Sequence, residues 1–253
     1  MGGHSHWAGI KHKKAITDAK RGKVWTKIIK EISIAARTGG GKPEDNPRLR
    51  KAIEDAKANN MPLDNVKRAV ARGTGAEPGV TYEEITYEGY GPGGIAVIIN
   101  VTTDSKNRAA SEIRKILDNH GGNMGSAGCV GWMFEQKGYI TVAKETAKED
   151  DLMSLALEIG AEDFRSPDDS SEYEIVTAPQ DFDSVKAKLE EKKITLSAAE
   201  VTMLPKNSVN IGEDKAQQVL DLMEELEDHD DVQKVYSNFN IPDSVMAKLG
   251  SAA

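Results

Sequence analysis

From position 17 onward the apolar residues fall at helical spacing: Val24, Trp25, Ile28, Ile29, Ile32, Ala35 and Ala36 share one face. This spacing predicts a first amphipathic helix, with Arg37 in its last turn and Gly39-Gly40-Gly41 ending it. Asn46-Pro47 predicts the cap and first turn of a second helix that buries Leu49, Ile53 and Ala56 and stops at Asn59-Asn60. Met61-Pro62 opens a third, 62–72, with Leu63, Val66 and Val70 on one face and Gly73 as its stop. Three such helices can share one small core. Residues 1–16 carry no apolar stripe and read as an arm.

Past a linker at 73–79 the period changes. Residues 81–88 and 95–102 read as strands joined by the turn-forming GYGPGG. Ser105 predicts the cap of a helix to about Asn119, with Ala109, Ile113, Ile116 and Leu117 buried. The glycine-rich 121–128 then leads to a strand at 129–134 that contains Cys129. A strand at 139–143, a helix at 147–159 closed by Gly160, strands at 161–165 and 172–177, a helix at 182–193 capped by Asp181 and a strand at 196–203 follow. That β-α-β-β-α-β order is ferredoxin-like. A short strand after Pro205, a helix at 213–228 and a strand at 232–239 complete the chain.

The fold expected is therefore α+β. An N-terminal three-helix domain (1–76) precedes a split α+β domain (77–134 plus 205–245), and a ferredoxin-like domain (135–204) is inserted into the latter.

Charge changes this picture most. The chain has a net charge of −8, but residues 1–75 hold 17 Lys+Arg against 7 Asp+Glu, and the rest hold 16 against 34. An acidic body carrying a basic module points to a polyanionic partner, with binding confined to one end. Lys11, Lys13, Lys14, Lys20, Arg21 and Lys23 stand close together, opposed only by Asp18. Cations so placed release counterions from phosphates and give salt-sensitive attraction. Trp7, His4, His6 and His12 offer flat rings to unpaired bases. On the third helix Asn65, Arg68 and Arg72 form a stripe suited to phosphates or base edges. On the second, Arg48, Arg50 and Lys51 lie in the first turn, where cations oppose the helix dipole and a structural role does not require them.

Other chemistries lack their residues. One cysteine excludes an intramolecular disulfide and any multi-cysteine metal site, and fits a reducing cytoplasm. The three arm histidines have no carboxylate or thiol neighbours, so no metal is expected. The glycine loops lack the lysine and hydroxyl of a phosphate-binding loop. The acidic runs lack calcium-loop spacing. No nucleophile-base pair emerges, so neither a catalytic residue nor a cofactor is expected, and no apolar run is long enough to cross a membrane.

Several segments carry a resemblance: GHSHWAGIKHKKAITDAKRGKVWTKIIKEI at 3–32, NPRLRKAIEDAKANNMP at 46–62, DNVKRAVARGTG at 64–75, YEGYGPGGIAVI at 87–98, TDSKNRAASEIRKIL at 103–117 and GGNMGSAGCVGWMF at 121–134. In order and spacing they resemble the YebC family. The resemblance implies three domains, a cytoplasmic location and a DNA-binding transcriptional regulator without enzymatic activity. It also leaves open a translation factor that binds ribosomal or transfer RNA on the ribosome, as mitochondrial relatives are translational activators. It adds Lys27 to the basic signature. His6, Gly9 and Cys129 depart from the family pattern and slightly lower the charge of the arm. A third reading makes the acidic domains an adaptor for a basic protein.

Overall fold

The computed structural model describes residues 18–168, 170–242, 245–246 and 249, with side chains from residue 22 onward. The described residues form two compact units, one from 18–129 and 218–235 and the other from 130–217 and 236 onward.

The first unit begins with α1 (Asp18–Gly39), α2 (Pro47–Ala58) and α3 (Leu63–Gly73). Their shared core is Ile32, Ala35, Ala36, Leu49, Ala52, Ala56, Met61, Val66 and Ala69. Two details differ from the sequence expectation. Leu63 is 60% exposed and Met61, just outside the helix, fills the core instead. The C-terminal half of α1 is buried on more than one face, because Lys30, Ser33 and Ile34 are closed off as well as Ile32, Ala35 and Ala36.

Asn46 joins the helices. Its Oδ1 accepts from the Leu49 amide at 3.0 Å and caps α2, while its Nδ2 donates to the carbonyls of Ala35 and Gly40 at 2.8 and 2.9 Å. Replacing it with alanine removes the cap and leaves carbonyls unpaired at a buried position. Asn46→Ala is expected to cost about 2–3 kcal/mol, measurable by urea unfolding. A loss under about 0.5 kcal/mol would mean that water replaces all three bonds.

The same unit contains a four-stranded sheet in which β3 (Asn123–Met124), β1 (Glu83–Tyr90), β2 (Ala96–Thr103) and β9 (Val232–Ser237) lie side by side in that order. Strands β1 (Glu83–Tyr90) and β2 (Ala96–Thr103) form an antiparallel hairpin with Glu83 opposite Thr103 and Tyr90 opposite Ala96. Its connection turns at Gly93 and Gly94, with φ of 75° and 76°, a conformation that side chains disfavour. Helix α4 (Lys106–Asn119) buries the four residues expected, and β3 (Asn123–Met124) pairs with the end of β1. The strand expected at 129–134 is instead a tight turn at Gly131–Met133, and Cys129 lies in the loop before it. The chain leaves this sheet after β3 and returns to it with β9 (Val232–Ser237), which follows α7 (Glu213–Asp228).

The second unit holds β4 (Phe134–Ala143), α5 (Glu149–Glu158), β5 (Asp163–Arg165), β6 (Glu172–Thr177), α6 (Phe182–Glu191) and β7 (Ala198–Pro205). All pairings in its sheet are antiparallel and the order is β5-β6-β4-β7. That is the ferredoxin-like arrangement. Its core comes from alternate residues of β4 and β6 (Ile140, Val142, Tyr173 and Ile175) packed on Leu152, Phe182, Val185 and Leu189. A parallel pair, β8 (Val209–Asn210) with β10 (Phe239–Asn240), also belongs here.

Candidate nucleic-acid interface

The cations of the helical segment divide into those that the protein occupies itself and those that it leaves to solvent. Lys23, Lys27 and Lys30 lie at i, i+4 and i+7 on α1, one above another on a single face. All three point at the C-terminal end of α7. Lys30 Nζ is buried and bonds Asp231 Oδ1 at 2.5 Å and the Asp230 carbonyl at 2.8 Å. Lys27 Nζ donates to the Glu227 carbonyl. Lys23 Nζ lies 3.6 Å from Asp228 Oδ2. A helix C-terminus carries partial negative charge and unpaired carbonyls, so lysines are well placed there.

Asp231 is the centre of this contact. Besides Lys30, it accepts from Arg108 Nη2 at 3.0 Å and Thr103 Oγ1 at 2.8 Å. Burial alone would raise its pKa. The bonds from Lys30, Arg108 and Thr103 outweigh that and hold the carboxyl below the ordinary range. Arg108 is held more firmly protonated by its bonds to Asp231 and Asp104.

Arg48 is occupied too. Its Nε and Nη2 meet both oxygens of Glu31 at 2.7 and 2.9 Å, and Nη2 and Nη1 meet Glu84 at 2.5 and 3.1 Å. These hydrogen bonds, Glu31 first, push its pKa above the usual value for arginine. The clasp ties α1, α2 and β1 together and supplies the structural reason for a cation in the first turn of α2 that the sequence did not reveal. Lys51 is likewise paired, with Asp55.

The other set faces outward. Asn65 is half-buried and Arg68 and Arg72 are exposed on α3, on the side away from Val66 and Val70. Arg50 bends back to the carbonyls of Pro43 and Glu44 at 3.2 and 3.4 Å, and its charge stays exposed. Arg37, Lys42, Lys57 and Lys67 are exposed as well, and sequence reading did not single them out. The available signal was their place off the apolar stripes. Among the described residues no carboxylate pairs with Arg37, Lys42, Arg50, Lys57, Lys67, Arg68 or Arg72. Gly41 lies against Val70 and Thr74, which brings the loop of Lys42 to the C-terminal end of α3. The side chains of Lys11, Lys13, Lys14, Lys20 and Arg21, and of Trp7 and the arm histidines, lie outside the described residues.

Glu112, His229 and Asp231 bring three metal-ligating atoms within 4.8 Å of one another. Their hydrogen bonds already account for them. His229 Nδ1 accepts the Asp231 amide at 3.1 Å, which leaves the proton on Nε2 to donate to Glu112 at 3.0 Å. Asp231 is shared between two cations, and a metal would be repelled by both, so we assign no ion here. Burial, followed by the nearby Glu88, pushes the Cys129 thiol up, away from nucleophilic use.

Taken together, the fold and the charge layout define a multidomain α+β protein whose cation-bearing three-helix bundle is fastened to a sheet-bearing body. Residues 5–76 match the family model described as the TACO1/YebC protein N-terminal domain, and residues 82–239 match the one described as the TACO1/YebC second and third domain. The chain belongs to the TACO1/YebC family. A relative from Elusimicrobium minutum is 58% identical over 250 residues, covering 98% of this chain and 99% of its own. Another from Endomicrobium trichonymphae is 57% identical over 251 residues, covering 99% and 100%. Both are described as a "probable transcriptional regulatory protein". The crystal structure of a conserved hypothetical protein from Aquifex aeolicus is 47% identical, covers 94% of this chain and 97% of its own, and superposes with a TM-score of 0.79. No helix among the described residues is long and apolar enough to cross a membrane.

Proposed function

We propose that this protein is a nucleic-acid-binding regulator of gene expression, acting in the cytoplasm by binding rather than by catalysis. The observation that carries the reading is the stripe Asn65, Arg68 and Arg72: two guanidiniums and an amide on one helix face, with no carboxylate answering the two arginines among the described residues. Guanidiniums left unpaired in a chain of net charge −8 suit an external anion. Arg50 and the basic arm (Lys11, Lys13, Lys14, Lys20 and Arg21) extend the proposed surface. Lys23, Lys27 and Arg48 do not belong to it in the resting protein, because internal partners hold them. The names of the relatives support DNA as the polymer. The same cations would serve RNA, and we retain the three-domain division of the chain as part of the proposal.

The test is a salt series. Each phosphate contact adds roughly 0.7–0.9 to the slope of log K against log salt. Arg50→Ala/Arg68→Ala/Arg72→Ala should flatten that slope by about 2–3 and weaken binding more than about tenfold. Its melting temperature should stay close to that of the parent, since exposed substitutions usually cost under about 0.5 kcal/mol. Labelled duplex DNA and labelled RNA, measured side by side, identify the polymer. An unchanged slope would remove α3 from the interface.

A further inference from the structure

We propose that the acidic end of α7 is an internal competitor of the nucleic acid: it holds Lys23 of α1, and a strand of phosphates that displaces it gains a cation withheld in the resting protein. This inference rests on the nucleic-acid reading above and concerns how that surface is regulated.

The three lysine contacts are graded from permanent to labile. Lys30 and Asp231 are 7% and 5% exposed, and their contact is reinforced by Arg108 and Thr103, so it acts as a pin. Lys23 and Asp228 are 44% and 43% exposed and 3.6 Å apart, longer than a charge-assisted hydrogen bond. Water screens both charges, and pairs of this kind hold weakly. Lys27, half-buried between Lys23 and Lys30 on α1, donates to the Glu227 main-chain carbonyl.

Lys23 and its competitor also share one space. A cleft of about 720 Å³ is lined by Lys23, Thr26 and Lys30 of α1, by Glu225, Asp228 and Asp230, and also by Arg108 and Lys115. Carboxylates spaced along a helix end present the same chemistry to a lysine as phosphates along a strand. A phosphate polymer has the higher charge density and releases counterions on binding, which an internal carboxylate does not do. Exchange at Lys23 can therefore proceed while the Lys30–Asp231 pin keeps the bundle attached. The arrangement favours dense polyanions over isolated phosphates, because a single phosphate offers no such gain over Asp228.

The test uses the full-length protein, with a fluorescein-labelled RNA oligonucleotide and a labelled DNA duplex as probes, followed by anisotropy across a salt series. Asp228→Asn/Asp230→Asn should bind about three- to tenfold more tightly, with the salt slope steeper by roughly 1. Adding Lys23→Ala should return both quantities to the parental values. Glu54→Gln/Asp118→Asn removes two exposed acids that do not face α1 lysines, and serves as the control for a general change in charge. A gain no larger than that of the control, an unchanged slope, or a gain that survives Lys23→Ala would overturn the competition. If the parent and every variant failed to bind either probe, the nucleic-acid reading itself would fall and this inference with it. Binding by the parent with no response to the acid substitutions would sink only the competition.

Discussion

Asp231→Ala is expected to destabilise the first unit by about 3–5 kcal/mol, because it leaves the Lys30 ammonium buried without a counter-charge, with the Asp230 carbonyl and the face of Tyr82 beside it. Arg108, nearly half exposed, can turn to water, but Lys30 cannot do so without opening the contact between α1 and α7. For a chain of this size the loss corresponds to a fall of roughly 6–20 °C in Tm. The effect has a pH signature. The Asp231 carboxyl is held below the ordinary range in the folded state, so its ionised form favours folding. That contribution is complete above the unfolded carboxyl value of about 4, and is lost as pH falls through the lower folded value. The parent should therefore lose stability on acidification more steeply than Asp231→Ala, which lacks this contribution. Parallel acid-induced unfolding curves for the two proteins would refute the account.

Gly73→Val is expected to damage both stability and binding. A Cβ at Gly73 would lie 2.3 Å from the Ser33 carbonyl oxygen and 2.8 Å from the Ala36 Cβ. Neither neighbour can give way, since one is main chain and the other is a buried methyl of α1. Helix α3 must shift, at a cost of about 3 kcal/mol or more. Arg68 and Arg72 ride on that helix, so nucleic-acid affinity should fall together with the melting temperature. Circular dichroism melts and the anisotropy titration report the two losses separately. A valine variant that melts like the parent would show that α1 and α3 do not approach as closely as described.

Periodicity made much of the architecture legible. The helices of the bundle, the β1–β2 hairpin and the β-α-β-β-α-β order each follow from a local pattern of apolar residues and turn formers. Local pattern failed where burial was settled by distant residues. Leu63 has the spacing of a core residue, yet Met61 sits in the core because the turn before α3 folds it inward. Cys129 lies in a run that reads as a strand, yet the run closes into a turn before β4 starts at Phe134.

The candidate site was legible as a charge imbalance and illegible as a surface. Lys23 and Arg68 look alike in a sequence: each is a cation on the polar side of an amphipathic helix. What separates them is the position of Asp228, some two hundred residues away in the chain, whereas Arg68 forms no ion pair among the described residues. Arg48 is a sharper case, since its partners Glu31 and Glu84 come from a helix before it and a strand after it. Composition and spacing thus established that this chain folds as an α+β protein with an excess of positive charge at one end. Which of those charges are spent inside the molecule, and which remain for a partner, was decided only when folding brought carboxylates to some of them, because electrostatic pairing depends on distance in space and not on separation along the chain.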